Sequence, residues 1–244
     1  MTAPDPETEF LDNTRRYLAQ QENLFGPVVY REDASRTEAA REPSASPAAP
    51  AEPWMSAGSL DTLRDQIHDC LKCPLGQTRI KFVFGTGNPK AEVMFIGEAP
   101  GADEDAQGEP FVGRAGQLLN KIIEAVGMKR EEVYICNIIK CRPPNNRAPL
   151  PTESETCTPY LMKQIELIRP KFIICLGRTA GQWLLQTEDN LAKLRGVIHT
   201  YHGISMIVTY HPAALLRNQA WKRPTWEDMQ LFRKAYDDLK AKPS

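Results

Sequence analysis

Four of the six cysteines are spaced like the ligands of a metal centre. Cys70 and Cys73 are separated by two residues at the end of a predicted helix, and Cys141 and Cys157 follow a predicted strand with fifteen residues between them. Two thiolates at the first spacing can bind one metal, and the second pair would complete a four-sulfur site for zinc or for an iron–sulfur cluster. Spacing alone does not separate these metals, and reduced core cysteines are a third interpretation.

Three polar residues stand where predicted strands end. Glu98, Asn137 and His211 each lie within or just after an apolar run that predicts a buried strand. The carboxyl ends of parallel strands meet at one edge of a sheet, so these side chains are expected to form a polar pocket there. The Asn is the strongest signal, because burying an unpaired amide is costly. Phe111, in a Pro-Phe-Val-Gly-Arg loop, either fills the core or stacks on a flat ligand.

The elements that must position these residues alternate between strand and helix. Strands are predicted at 93–96, 133–139, 171–177 and 204–208, and helices at 60–71, 114–126, 152–168, 179–185 and 226–240. This alternation predicts an α/β fold, with three αβα layers around a central, mainly parallel four-stranded sheet. Cys136 and Cys175 fall inside strands and are interpreted as small buried hydrophobes. Thr152 is predicted to cap its helix, with Glu155 completing a capping box.

The amino-terminal part differs in composition from the rest. Residues 1–55 contain ten Asp or Glu, five Arg and no Lys, and 31–53 are mostly Ala, Glu, Ser, Arg and Pro. Such a segment buries too little apolar surface to offset the entropy of ordering. We therefore predict an acidic, largely disordered extension and linker at 1–56 and one folded domain at 57–244. Within the extension, 21–25 is either a docking peptide for a repair or replication protein or part of a solvated tail.

Charge and hydropathy exclude some classes of protein. Residues 56–244 hold 25 Lys or Arg against 21 Asp or Glu, and the whole chain has a net charge of -1. This balance permits a polyanionic partner without indicating one. No apolar run is long enough to span a membrane, and the amino terminus lacks the apolar region of a signal peptide. A soluble, cytoplasmic protein is expected, in which cysteines are weak evidence for disulfides.

Four longer segments carry a family resemblance. They occur in this order, together with the four spaced cysteines, at 97–101, 108–116, 136–147 and 211–217. In combination they resemble the iron–sulfur (family 4) uracil-DNA glycosylases, and the resemblance extends over about 60–239. Several long motifs in the same order make a chance match improbable.

The resemblance implies a fold, an activity, a cofactor and a partner. It implies the uracil-DNA glycosylase-like fold and a monofunctional enzyme that hydrolyses the N-glycosidic bond of uracil in DNA, leaving an abasic site for base excision repair. The implied partner is uracil-containing DNA, single- or double-stranded, and the chain is expected to act as a monomer. The implied cofactor is a 4Fe–4S cluster held by Cys70, Cys73, Cys141 and Cys157, with zinc as the alternative.

The resemblance also implies how the base is recognised. A base must leave the duplex before its glycosidic bond is cut, so the enzyme needs a pocket that stacks on it and binds its edge. By similarity, Phe111 stacks on the uracil, and Asn137 reads its N3–H and O4. Glu104 is the candidate that excludes the 5-methyl group of thymine, with an exposed acid in the run 103–105 as the alternative interpretation. The other implied substrate contacts are Gly97, Ala99, Gly101 and Asn146.

Catalysis is expected to rest on two of the polar residues. By similarity, His211 stabilises the charge that develops on the uracil O2, and Glu98 orients or activates the attacking water. The classical cluster-free uracil-DNA glycosylases have an Asp after the residue that matches Glu98, whereas this chain has Ala99. This difference leaves the identity of the water-activating group open.

The DNA contacts are interpreted in the same way. Leu215, four residues after His211, resembles the apolar wedge that fills the gap left by the base, although a helix-core leucine is the competing interpretation. Arg147 and Arg217 are expected to contact phosphates, with a solvated surface as the alternative.

Two other functions compete with the glycosylase. One is a relative that captures uracil-DNA covalently through a histidine in an inserted loop, but residues 141–151 contain neither an insertion nor a histidine. The other is a nucleic-acid-binding cluster protein without catalysis, which would not need the polar pocket.

Overall fold

A six-stranded sheet forms the centre of the protein. The computed structural model describes residues 52–241. The strands are β1 (Thr86–Gly87), β2 (Val93–Gly97), β3 (Tyr134–Asn137), β4 (Phe172–Leu176), β5 (His199–Tyr201) and β6 (Ile204–Thr209). Their order is β1-β3-β2-β4-β6-β5; the four central strands are parallel and the two edge strands are antiparallel to their neighbours.

Helices cover both faces of this sheet. They are α1 (Leu60–Ile67), α2 (Leu75–Thr78), α3 (Ala102–Gln107), α4 (Arg114–Ala125), α5 (Pro151–Ile168), α6 (Arg178–Leu185), α7 (Leu191–Leu194), α8 (Pro212–Arg217) and α9 (Lys222–Ala241). Short 3-10 helices lie at Pro53–Ser56, Arg130–Glu132, Pro144–Asn146 and Gln219–Trp221. None of the helices in the described range is long and apolar enough to cross a membrane.

Two hydrophobic cores separate the layers. On one face α1, α5 and α6 pack against side chains such as Met94 and Ile96, and on the other α4 and α9 pack against side chains such as Phe95. Successive residues of β2 therefore point to opposite cores, and every residue of β2 and β4 is buried. The predicted three-layer α/β fold is confirmed.

The predicted number of strands is wrong. The four predicted strands are the parallel centre, but β1 and β5 extend the sheet to six. These edge strands have two and three residues, and their burial alternates or is partial. A pattern search for apolar runs cannot detect them, because they bury little surface and gain their order by pairing with a formed strand.

The folded part begins earlier than predicted. Trp54 is buried, and its ring centroid lies 4.9 Å from that of Tyr160 on α5. The boundary predicted at residue 57 therefore cuts through a packed segment. The remainder of the predicted extension, 1–51 with its candidate docking peptide at 21–25, lies outside the described residues.

The start of α5 also differs from the prediction. Its N-cap is Leu150, and the carboxylate of Glu153 accepts a hydrogen bond of 2.8 Å from the backbone N–H of Leu150. Glu155 is exposed, so the predicted box of Thr152 and Glu155 is displaced by two residues. The Pro at the first helical position sets this earlier start.

Strand register places four residues in line at the carboxyl edge of the sheet. Gly97 pairs with Asn137 in β2 and β3, and Leu176 pairs with Thr209 in β4 and β6. The Thr209 hydroxyl donates to the buried carboxylate of Asp228 on α9, at 2.7 Å. The last helix is thereby tied to the strand end that leads into the His211 loop.

Candidate active site

A cleft of about 410 Å³ opens at this carboxyl edge. Ten of the residues predicted from the sequence line it: Glu98, Ala99, Gly101, Glu104, Phe111, Asn137, Asn146, Arg147, His211 and Arg217. They come from six separate segments of the chain, which the parallel sheet brings together. The size is within the range of small-molecule pockets and suits a single nucleotide.

Asn137 lies at the bottom of the cleft with an unused acceptor. The residue is 1% exposed, and its Oδ1 is buried without a hydrogen-bond partner among the described residues. A buried acceptor left unpaired costs about 1–3 kcal/mol. Asn137 therefore places an amide with an unpaired acceptor among the residues that line the cleft.

Gly97 allows this arrangement by having no side chain. A Cβ at this position would lie 2.3 Å from Asn137 Oδ1 and 2.8 Å from Cζ of Phe111. The glycine is thus required by close approach, since its backbone φ is not in the left-handed region. Gly97 is not among the residues that line the cleft, and its predicted contact with the substrate stays a prediction.

Phe111 forms one wall of the cleft in a strained backbone conformation. Its φ is 55°, a value that costs a non-glycine residue about 1–2 kcal/mol. The ring is 6% exposed, and its centroid lies 5.4 Å from that of His211, with 32° between the planes. The core interpretation of Phe111 is confirmed. The ring also lines the cleft, and its stacking on a flat ligand stays a prediction.

Glu104 holds two loops together. Its carboxylate accepts hydrogen bonds from the backbone N–H groups of Gly101 at 3.1 Å, Val112 at 3.0 Å and Gly113 at 3.2 Å. Both oxygens are therefore committed to the loop that carries Phe111 and to the start of α3. Glu104 also lines the cleft, and its predicted position opposite the 5-position of the base stays a prediction.

His211 is held as a neutral imidazole. It is the N-cap of α8, where its Nδ1 accepts a hydrogen bond of 3.1 Å from the backbone N–H of Ala213. Desolvation, helped by the nearby Arg217, lowers the pKa of His211 to about 4. Because Nδ1 is an acceptor, the neutral ring carries its proton on Nε2. The site therefore offers an N–H donor without a formal charge.

Glu98 follows β2 at the edge of the cleft. Its backbone oxygen accepts from the N–H of Ile139 at 3.2 Å, which fixes the turn. No group in the described part of the chain donates a hydrogen bond to its carboxylate, and the residue lines the cleft. The carboxylate is accessible to a water molecule or to a substrate.

The arginines at the cleft have different surroundings. Arg147 makes a double hydrogen bond to Glu153, at 2.9 and 2.6 Å, and this carboxylate is 2% exposed. The guanidinium of Arg147 is therefore already paired within the protein, so we expect it to contribute less to phosphate binding than an unpaired arginine. Arg217 and Arg178 are exposed, and both line the cleft. Arg178 was missed by sequence reasoning, although its position directly after a strand-ending glycine was an available signal.

Leu215, the predicted wedge residue, is more buried than that role leads one to expect. It is 1% exposed and lines a pocket together with side chains of α4 and α9. Leu216 is next to it and half-buried. Two adjacent leucines on a short helix point about 100° apart, so only one of them can face the core. The burial of Leu215 favours the helix-core interpretation weighed in the sequence analysis.

The four spaced cysteines share one hydrophobic core, which involves both ends of the segment 141–157. Cys141 and Cys157 are buried, and Cys70 and Cys73 pack partly buried against the same cluster. No group of three or more His, Cys, Asp or Glu within residues 52–241 is arranged to hold a metal ion.

Polar groups from the surrounding elements contact two of the sulfurs. Arg79 Nη1 donates to Cys141 Sγ at 3.3 Å and to the backbone oxygen of Cys70 at 2.6 Å, and the Tyr160 hydroxyl donates to Cys70 Sγ at 3.3 Å. By contrast, Cys136 and Cys175 are fully buried within β3 and β4, as predicted.

The comparison with known families agrees with this geometry. The family model of the "Uracil DNA glycosylase superfamily" matches residues 84–240, which include the cleft and two of the four spaced cysteines. The chain belongs to the uracil-DNA glycosylase superfamily.

Within this superfamily the chain is similar to type-4 uracil-DNA glycosylases. It is 47% identical to that of Archaeoglobus fulgidus over 166 residues, 65% of this chain and 83% of the relative. The identity is 46% over 194 residues for Saccharolobus solfataricus, covering 76% and 88%, and 42% over 175 residues for Thermotoga maritima, covering 70% and 91%. These relatives give no support to covalent capture or to a non-catalytic protein.

The close approach at Gly97 leads to a first prediction. In Gly97→Ala the new methyl group must displace Asn137 or Phe111, and we expect excision of uracil from a single-uracil oligonucleotide to fall about 100-fold, the effect of a misplacement near 1 Å. The matched control is Gly58→Ala, because a Cβ there meets nothing within 4 Å. Wild-type activity in Gly97→Ala would show that the geometry of this contact is not required.

Proposed function

We propose that this superfamily member removes uracil from DNA by hydrolysis of the N-glycosidic bond and leaves an abasic site. The relatives with 42–47% identity are named for this activity. The observation that carries the proposal is the buried, unpartnered Oδ1 of Asn137 at the bottom of a cleft walled by Phe111. Such an atom suits a ligand that is flat, apolar on its faces and able to donate on its edge.

Uracil fits these groups when it is rotated out of the stack. Phe111 stacks on the ring, Asn137 Oδ1 accepts from N3–H, and the amide N–H donates to O4. Cytosine presents an acceptor at N3 and a donor at position 4, the reverse pattern. Binding cytosine would leave buried polar groups unpaired, which is the strong form of discrimination.

His211 stabilises the leaving group. The bond breaks toward an anionic uracil and a sugar with positive character, so negative charge grows on O2. The neutral ring donates its Nε2–H to O2, and because the donor is fixed by the N-cap bond to Ala213 it needs little reorganisation. Fixed donors of this kind contribute about 100- to 1000-fold to the rate.

Glu98 orients the water that attacks the sugar. Its carboxylate is the accessible anion at the cleft, and it also favours the developing positive charge on the sugar. Because Ala99 stands where the cluster-free enzymes have an Asp, the carboxylate and the fixed donors carry the reaction together. No lysine lines the cleft, so we propose hydrolysis without strand cleavage.

Exposed residues around the cleft bind the DNA. Arg178 and Arg217 contact phosphates on either side of the extruded nucleotide, and Leu216, the half-buried leucine of α8, fills the gap in the stack. Asn146 lies in the loop above the base, where its Oδ1 accepts from Arg142 Nε at 2.7 Å.

The cysteines hold a 4Fe–4S cluster, with zinc as the alternative. The chemistry of the donors fits a cluster, since Cys70, Cys73, Cys141 and Cys157 are thiols that pack in one core, although their side chains are not arranged as a metal site in this structure. Two of the sulfurs have N–H or O–H donors beside them, as cluster sulfurs commonly do. When bound, the cluster supplies a rigid cross-link between the segment at 70–73 and the loop 141–157. The chemistry of excision remains with the residues of the cleft.

An excision assay tests the proposed function. On a single-uracil oligonucleotide, His211→Asn is expected to lose about 100- to 1000-fold in kcat/KM. Asn keeps the N-cap bond but lacks the Nε2–H donor. His202→Asn, on an exposed turn, is the control and should match the wild type. The product strand should break only after alkali treatment. Uracil DNA that is bound and never cut would overturn the proposal.

The lowered pKa of His211 sets a pH dependence. Since the working form is neutral and the folded pKa is about 4, kcat should show no inflection near pH 6.5 and should fall only toward pH 4. In the unfolded chain the pKa of His is near 6.5, so on acidification the unfolded chain binds the proton before the folded protein does. The free energy of unfolding therefore decreases as the pH falls from 6.5 toward 4. Compared with His211→Asn, the wild type should lose about 2 kcal/mol between pH 7.5 and 5. Urea unfolding at both pH values measures this difference.

Iron analysis tests the cofactor. The purified protein should contain about four iron atoms per chain and absorb visible light. Cys157→Ala should lose most of the iron, whereas Cys175→Ala, an equally buried cysteine in β4, should keep it. A colourless wild-type preparation that contains zinc would remove the cluster from the proposal.

A further inference from the structure

A fully buried lysine lies between the cleft and the cysteine core. Lys140 is 0% exposed, and its Nζ donates to the backbone oxygen of Asn137 at 2.7 Å and to Gln164 Oε1 at 2.6 Å. Neither acceptor is a carboxylate. Burial of an ammonium group is costly, and an apolar side chain of similar length would fill the same space without that cost. The cost suggests that the two hydrogen bonds have a specific use.

Gln164 connects the lysine to rigid elements. It is 0% exposed and lies on α5, two turns after Cys157. Its Nε2 donates to the backbone oxygen of Phe84 at 3.0 Å and to the Tyr134 hydroxyl, at the start of β3, at 3.2 Å. The lysine is thus attached to an amide whose own position is fixed by a helix and a strand.

The base-reading side chain needs such a support. Oδ1 of Asn137 must stay free for the substrate, so no protein hydrogen bond to that atom can hold the side chain in place. β3 ends at Asn137, and the backbone oxygen of Asn137 accepts a hydrogen bond from Nζ of Lys140. The direction of the amide is therefore set by the backbone and by packing against Gly97 and Phe111.

We propose that Lys140 is a positioning residue for uracil recognition: together with Gln164 it fixes the backbone of Asn137, so that the free amide stays aimed into the cleft. The proposal rests on the proposed role of Asn137 as the base reader. Lys140 does not touch the substrate, since it is not among the residues that line the cleft. It acts through Asn137 alone, and this condition can be measured.

A double-mutant cycle on the affinity for free uracil tests the proposal in the iron-loaded full chain. Lys140→Met is expected to weaken uracil binding at least tenfold, measured as product inhibition. In the Asn137→Ala background the same change should have no further effect, because the reader is already absent. Equal factors in both backgrounds would assign Lys140 a general structural role and overturn the proposal, as would unchanged affinity in Lys140→Met.

Two further variants separate positioning from misfolding and from loss of the cysteine site. Gln164→Met breaks the support at its other end, away from Cys141, and should give the same loss and the same dependence on Asn137. The control is Lys163→Met, the neighbouring residue, whose ammonium pairs with Glu166 at 2.8 Å and which should bind uracil like the wild type.

Iron content and the melting temperature are measured for each variant. A loss of uracil affinity in Gln164→Met that follows a proportional loss of iron would overturn the proposal, since the effect would then come from the cysteine core. Asn137→Ala alone gives a separate answer. If that variant binds uracil like the wild type, the proposed base reader fails, whatever the behaviour of Lys140.

Discussion

An amide oxygen that is buried without a partner is the constraint on which the site depends. Asn137 Oδ1 costs about 1–3 kcal/mol in the free protein, and the fold keeps it in that state. The register of β2 against β3 places Gly97 beside it, and the absent side chain of that glycine leaves room for Phe111. A buried acceptor without a partner favours a ligand that can donate to it, and in the proposed function this preference contributes to selectivity.

Some of the ionisable groups around the cleft are neutral or already paired. His211 is neutral, and the carboxylate of Glu104 accepts hydrogen bonds from three backbone N–H groups. Arg147 is matched by the buried Glu153. In the proposed mechanism an anionic leaving group is met by oriented dipoles, whose effect is larger in a partly buried site than in water. The exposed side chains of Arg178 and Arg217 line the cleft, where DNA phosphates would lie in the proposed function.

Sequence reasoning predicted the parts of the molecule that follow a repeating pattern. The four central strands and the polar residues at their ends were found, because burial on both faces produces long apolar runs in which an Asn such as Asn137 is conspicuous. The edge strands β1 and β5 were missed because they have too few residues to show a period. Leu215 and Leu216 could not be separated either, since the orientation of a six-residue helix depends on the core beneath it. The partners of Glu104 lie three to nine residues away, in loops whose path no pattern encodes.

The cleft and the cysteine core both take residues from the irregular segment that follows β3. Loops are more mobile than the strands they connect, and this one directly follows Asn137, the proposed base reader. Lys140 binds back to Asn137 and across to α5, Cys141 contacts Arg79, and Arg147 pairs with the first turn of α5. Three attachments in eight residues give the loop the order that backbone pairing gives a strand. Beyond the end of β3 there is no ladder of backbone hydrogen bonds. Buried polar side chains such as Lys140 therefore order the loop instead, despite the cost of burying them.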